Sequence, residues 1–126
     1  MKKPNNIVRV PCSLSGSFFR YWFKFLEPFH KLTDREIDVI TSFVKQRYKL
    51  SKVIKDNEIL DKVTMSEDIK KKVREECNIT LPHFQVIMGK LRKNKVITDG
   101  KINLRFIPNI DEETGTSQLL LLFELK

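Results

Sequence analysis

Thr64-Met65-Ser66-Glu67-Asp68-Ile69-Lys70-Lys71-Lys72-Val73-Arg74-Glu75-Glu76-Cys77-Asn78-Ile79-Thr80-Leu81-Pro82-His83-Phe84 holds two helix starts with almost no chain between them. Thr64 followed three residues later by Glu67 has the spacing of a capping box. Ile69, Val73 and Cys77 then recur at i, i+4 and i+8 and predict one buried stripe. Asn78 suits the left-handed position just past a helix end. Thr80 is the next N-cap, and Pro82 is tolerated in the first turn because that amide needs no partner. The second helix, from Leu81 to Asn94, puts Phe84, Ile87, Met88 and Leu91 on one face. Two helices joined by so short a turn must cross sharply.

Upstream, Thr33 and Glu36 form another capping box, and Ile37, Ile40, Phe43, Val44 and Tyr48 give the helical period from Asp34 to about Lys49. Between Ser51 and Val63 the pattern is amphipathic but weaker, a short helix or a structured connection. Further upstream, Phe18-Phe19-Arg20-Tyr21-Trp22-Phe23-Lys24-Phe25-Leu26 makes two apolar stripes on one short helix. Phe18, Trp22, Phe25 and Phe29 form the first; Phe19, Phe23 and Leu26 form the second. Ser17, Arg20, Lys24 and Glu27 are its only polar line, and Pro28 ends the helix. Ile7-Val8-Arg9-Val10 is a β-prone run before Pro11. Downstream, Asp99-Gly100 signals a turn, and Ile102, Leu104 and Phe106 alternate with Asn103 and Arg105 as a half-buried strand would. Pro108 to Thr116 is a polar loop. The apolar run Leu119 to Phe123, extended by Leu125, reads as a strand buried on both faces or at an interface. It would close a hairpin with Ile102, Leu104 and Phe106.

Composition narrows the function. The 126 residues carry 24 Lys and Arg against 16 Asp and Glu, a net +8, and are 40% hydrophobic. That describes a globular chain with a polyanion or an acidic protein surface as partner. No apolar run is long enough for a membrane helix, and the basic opening Met1-Lys2-Lys3 is not followed by the apolar core of a signal peptide. Two cysteines, Cys12 and Cys77, have no metal-ligand spacing and no disulfide framework, which fits a reducing compartment. With two histidines, four glycines and no phosphate-loop pattern, catalysis has little support. His30 and His83 have no Ser or Cys in a recognisable nucleophile setting, and Cys77 on its apolar stripe is expected to be inert.

The order helix, helix, sharp turn, helix, hairpin resembles a winged helix-turn-helix. Leu32-Thr33-Asp34-Arg35-Glu36-Ile37-Asp38-Val39-Ile40 is similar to the first-helix opening of many bacterial response regulators. Ser66 to Ile97, with Ile79-Thr80-Leu81-Pro82 at the turn and Leu91-Arg92-Lys93-Asn94-Lys95-Val96-Ile97 at the end, is similar to the helix-turn-helix of replication and transcription winged helices. The resemblance implies an α+β, mainly α fold: a three-helix core and a C-terminal β-hairpin over 32–126, preceded by an arm and aromatic-rich helix over 1–31. It also implies that the helix from Leu81 to Asn94 is the recognition helix. In Lys, Asn and Ile usage and overall texture, without a shared motif, the chain resembles small proteins of crAss-like tailed phages of Bacteroidetes.

With Phe84, Ile87, Met88 and Leu91 inward, Gln85, Gly89, Arg92 and Lys93 point outward, with His83 and Lys90 on the flanks. Gln suits adenine, Arg suits guanine, and Lys suits phosphates. Gly89 would either let a backbone approach closely or relieve a tight helix crossing. Lys90, Arg92, Lys93, Lys95, Lys101 and Arg105 stand against Asp99 alone, and each taken singly is also an ordinary solvated residue. The run Lys70-Lys71-Lys72 with Arg74 reads as a solvated face. Asp111, Glu112 and Glu113 at the expected wing tip would be repelled by phosphates, so either the wing points away from the nucleic acid or the domain binds protein. For the aromatic segment the order of readings is core, subunit interface, base stacking; the interface reading names Phe18, Trp22, Phe25 and Phe29.

Two functions follow as expectations. The first is a non-enzymatic winged-helix protein that binds double-stranded DNA. The second is a structural subunit of a phage virion, as connector, ring or capsid-associated protein, using the same fold against acidic protein surfaces. Both imply a homo-oligomer or larger assembly, and neither calls for a cofactor, a metal, a small-molecule substrate or a membrane. The first places the chain in the host cytoplasm, the second in the virion.

Overall fold

Capping explains where the helices begin. The computed structural model describes residues 7–126, and four of its helices start at a side-chain N-cap, Thr33, Asp56, Ser66 or Thr80. The basic opening, residues 1–6, lies outside the described residues. The 7–10 run forms no strand and is exposed. The aromatic helix α1 (Phe18–Phe25) is followed by the single turn α2 (Glu27–His30), with Pro28 in its first turn. Helix α3 (Asp34–Ser51) opens with the complete Thr33–Glu36 capping box. Helix α4 (Asn57–Thr64) is capped by Asp56, whose carboxylate accepts from the Glu58 and Ile59 amides.

Helix α5 (Glu67–Glu76) corrects one sequence expectation. Ser66, not Thr64, is its N-cap and accepts from the Ile69 amide. Thr64 belongs to the last turn of α4, where it is buried and donates its hydroxyl back to the Leu60 carbonyl at 2.7 Å. Asn78 takes the left-handed conformation as expected, φ 52°, and the Ile79 amide closes onto the Arg74 carbonyl at 3.2 Å. Thr80 then caps helix α6 (Leu81–Lys93). The α6 end repeats the device: Lys95 sits at φ 62° and the Val96 amide reaches the Leu91 carbonyl at 3.0 Å.

The β structure departs further from the sequence reading. Strands β1 (Ile97–Thr98) and β2 (Lys101–Ile102) pair antiparallel, with Thr98 opposite Lys101. Asp99 and Gly100 both have positive φ, 54° and 73°, the requirement of the tight two-residue hairpin turn. After Ile102 the chain turns into a 3₁₀ helix, Leu104–Phe106, instead of continuing as a strand. The cause is Asn103: its side-chain oxygen accepts from the Arg105 amide and its amide group donates to the Lys95 carbonyl at 3.0 Å. Ile102 and Phe106 are buried while Leu104 is exposed, so the alternation that suggested a strand is not followed by burial. A second hairpin, β3 (Ile110–Asp111) with β4 (Thr116–Ser117), carries the acidic tip. Residues 119–125 form no strand and do not pair with residues 102–106; their apolar side chains are exposed. The molecule is therefore α+β and mainly α, with two small antiparallel hairpins.

One core holds these elements. Helix α3 packs against α1, α4, α5 and α6, and Ile37, Val39, Ile40, Phe43 and Val44 supply its centre. Phe19, Trp22, Phe23 and Leu26 of the aromatic segment lie in the same cluster as Phe84, Leu91, Val96 and Phe106. The Trp22 indole N–H donates to the Phe106 carbonyl at 2.8 Å, which satisfies the buried donor and fixes the 3₁₀ turn on α1. The polar line of α1 faces the acidic start of α3: Arg20 bonds Asp38, and Lys24 bonds Asp34 at 3.3 Å. His30 is buried with both ring nitrogens used. Nε2 donates to the Phe23 carbonyl at 2.7 Å and Nδ1 accepts from the Leu32 amide at 3.0 Å, so the ring is the neutral Nε2–H tautomer.

Candidate nucleic-acid interface

The stretch from α6 to the 3₁₀ turn carries most of the chain's net positive charge. Residues 81–106 hold six cations and one carboxylate, a net +5 of the chain's +8. Phe84, Ile87, Met88 and Leu91 face the core as the period predicts. This leaves His83, Gln85, Val86, Lys90, Arg92 and Lys93 exposed, with Gly89 half-buried. Among the described residues Lys90, Arg92, Lys93, Lys95, Lys101 and Arg105 make no ion pair.

Other elements use part of their charge on one another. Arg47 meets Asp61 at 3.1 Å between α3 and α4, and Lys45 meets Glu76 at 3.5 Å between α3 and α5. Glu76 also accepts from the Ser42 hydroxyl, and Arg35 donates to the Cys77 carbonyl at 2.8 Å. On α5, Lys70 pairs with Glu67 while Lys71 and Lys72 remain exposed.

Arg92 and Lys95 come together with Thr98, Asp99 and Gly100 around one shallow depression between the end of α6 and the hairpin turn. Lys101 lies across from Thr98 in the same hairpin. Arg105 is placed differently: its guanidinium lies over the Phe106 ring, 5.9 Å from the centroid. Gly89 faces open space, since an added Cβ would meet nothing within 4 Å. Relief of a tight helix crossing is therefore not why a glycine stands there. The last turn of α6 also has a local reason to be basic, because Lys90, Arg92 and Lys93 sit at the negative end of the helix dipole.

The acidic hairpin is tied to the end of α3. Asp111, Glu112 and Glu113 are exposed, but Glu112 accepts from the Tyr48 hydroxyl and the Lys52 ammonium at the end of α3. The hydrogen bond from Lys52, then that from Tyr48, lowers the Glu112 pKa; the contacts of Lys52 with Glu112, then with Tyr48, raise that of Lys52. The Asp99-Gly100 turn lies beside the end of α6.

The expected interface aromatics divide. Trp22 is buried and Phe18 half-buried against Phe19 and Trp22, whereas Phe25 and Phe29 are exposed. Two features escaped the sequence reading. Asn103, which fixes the hairpin stem to α6, had no periodicity to reveal it. The Asp56 cap of α4 was legible as an Asp before an apolar pattern but was masked by the weakness of that pattern.

No protein-family model matches the chain, and no curated protein and no solved structure matches it either.

Among the described residues, no three His, Cys, Asp or Glu side chains come together as a metal-binding group. Burial, followed by the charges of Glu76 and Asp38, pushes the Cys77 thiol up to about 11, which leaves it protonated and unreactive at neutral pH. No helix of the described residues is long and apolar enough to cross a membrane.

Proposed function

We propose that this chain is a non-enzymatic winged-helix protein that binds double-stranded DNA through α6. In this reading α3 is the first helix, α5 and α6 are the helix-turn-helix, and β1–β2 is the wing. The observation that carries it is a concentration of unpaired charge: residues 81–106 carry six cations, none in an ion pair and with Asp99 as the one carboxylate among them, whereas elsewhere among the described residues eight of sixteen cations are paired. Gln85 and Arg92 are the base-reading candidates, and Lys90, Lys93, Lys95 and Lys101 the phosphate contacts. The half-buried Gly89, open above its Cα, supports close approach of a sugar-phosphate backbone.

The test is fluorescence anisotropy with duplex DNA over a range of salt. Log affinity should fall linearly with log salt, because each phosphate contact releases counterions. Lys93→Ala should weaken all sequences alike, while Arg92→Ala should cost a preferred site about 1–3 kcal/mol. Absence of binding at low salt would refute the reading.

A second reading, a structural subunit of a phage particle, is favoured by the exposed apolar residues 119–125 and by Phe25 and Phe29. Its test is the mass of the chain in solution, without DNA, by light scattering.

A further inference from the structure

The outward line of α6 is not made of cations alone. Opposite the core face of Phe84, Ile87, Met88 and Leu91, the helical period places Pro82, Val86, Gly89 and Lys93 in one row. Val86 is 61% exposed in the middle of the helix, so it contributes little to the core. Valine is also a poorer helix former than alanine, glutamate or lysine, because its branched Cβ crowds the preceding turn. Neither packing nor helix propensity accounts for it. One turn further on, the surface is open above Gly89, so the row dips beside the valine.

Single exposed valines are common on protein surfaces. This one is set apart by its neighbours. Gln85 is exposed beside it, Lys90 and Lys93 stand one and two turns further along, and α6 contains no carboxylate. A partner that suits this face has anionic groups at its edge, with hydrogen-bonding groups and an apolar group between them. The major groove of DNA has that composition: phosphates run along its rims, and on its floor the thymine 5-methyl is the apolar group among the polar base edges. Double-stranded RNA does not, because uracil lacks the methyl and the A-form major groove is too deep and narrow for side chains to read.

Resting on the reading of α6 as the DNA-binding helix, we propose that Val86 is a specificity-determining residue that reads thymine. Its methyl groups meet the 5-methyl of a thymine in the major groove, while Gln85, the adjacent exposed residue, bonds an adenine. The site that α6 prefers therefore contains A·T pairs where the groove faces the middle of the helix. Lys90 and Lys93 contact phosphates whatever the sequence, so they set the salt dependence and Val86 does not. Withdrawing one such methyl from water is worth roughly fourfold in affinity.

The test uses two short duplexes of alternating adenine and thymine that differ only in carrying deoxyuridine in place of every thymidine. Fluorescence anisotropy at the same low salt should show the wild-type chain binding the thymidine duplex roughly fourfold more tightly. Val86→Ala should bind the two duplexes alike, with the salt slope of the wild type. The position is exposed and alanine is the better helix former, so circular dichroism should show α6 intact. Equal affinity of the wild type for the two duplexes, with salt-dependent binding to both, overturns the proposal and leaves the DNA reading standing. A thymidine preference that persists in Val86→Ala also overturns it, because the methyl is then sensed by another residue or through the shape of the duplex. Failure of the wild type to bind either duplex at low salt removes the DNA reading, and this proposal with it.

Discussion

Asn103 shows how one side chain decides the path of the chain. Its amide group bonds the Lys95 carbonyl and its oxygen accepts the Arg105 amide, while its own backbone N–H reaches the Val96 carbonyl at 2.8 Å. Asn103→Ala removes both side-chain bonds and keeps the backbone one. We expect a loss of ~1–2 kcal/mol, read as a lower urea midpoint, with faster hydrogen exchange at Arg105 and across β1–β2 while α3 stays protected. His30 is the residue through which pH should act. Burial lowers its pKa, opposed by the hydrogen bond to the Phe23 carbonyl and by the charge of Glu27. The unfolded chain therefore takes up the proton first, at ~6.5, and the folded chain only at lower pH. The stabilisation from neutral His30 is fully present above that value and is lost as pH falls from there through the folded pKa. The slope is at most ~1.4 kcal/mol per pH unit. Urea titrations at mildly acidic and mildly alkaline pH should show this difference, and it should shrink in His30→Gln, which cannot titrate. Equal pH dependence in the two proteins would mean that carboxylates alone set it.

At the scale of elements, Gly89 separates helix stability from function. A glycine inside α6 costs stability relative to alanine, and nothing in the fold requires it. Gly89→Ala should raise stability by ~0.5–1 kcal/mol, seen as a higher melting temperature. If a duplex backbone approaches α6 at this point, the same methyl should weaken DNA binding, so stability and affinity move in opposite directions. Unchanged affinity would place the duplex elsewhere on the helix. The helices were legible because their signals are local: Thr33, Thr80 and Asn78 occupy the positions their chemistry predicts. Thr64 misled because Ser66 stands two residues away and also caps well, and only the position of α4 decides between them. The strands were misread for a different reason. Period-two apolar spacing at Ile102, Leu104 and Phe106 does not report the Asn103 side chain that bends the backbone. The continuous run at Leu119 to Phe123 has no period to say which side faces inward, and its side chains are exposed. Of the candidate site, the outward face of α6 could be read from the 3.6-residue period alone. The inward side of Trp22 and the outward side of Phe25 could not, because both fell on one apolar stripe.

At the scale of the whole molecule the distribution of charge yields a directional test. The acidic hairpin binds Lys52 and Tyr48 at the end of α3, and the cations of α6 and the β1–β2 turn stay free. Replacing Asp111, Glu112 and Glu113 together by Ser raises the formal net charge by three, from +8 to +11. Thermal unfolding should scarcely move, because the Lys52–Glu112 pair is open to solvent and exposed pairs contribute little. Duplex affinity should rise, since three carboxylates that repel phosphates are gone and Lys52 is released. The gain should be greatest at low salt and fade as the Debye length contracts toward ~3 Å near molar salt. A head-to-tail assembly in which the acidic tip meets the basic α6 face of a neighbour requires the opposite: the triple change would weaken association. Glu112 argues against that arrangement, since its carboxylate is already engaged within its own chain. Anisotropy and light scattering on the same triple variant therefore answer together. Tighter DNA binding with unchanged mass fits α6 as a DNA-binding helix, whereas weaker assembly with unchanged DNA binding fits the acidic tip as a subunit contact.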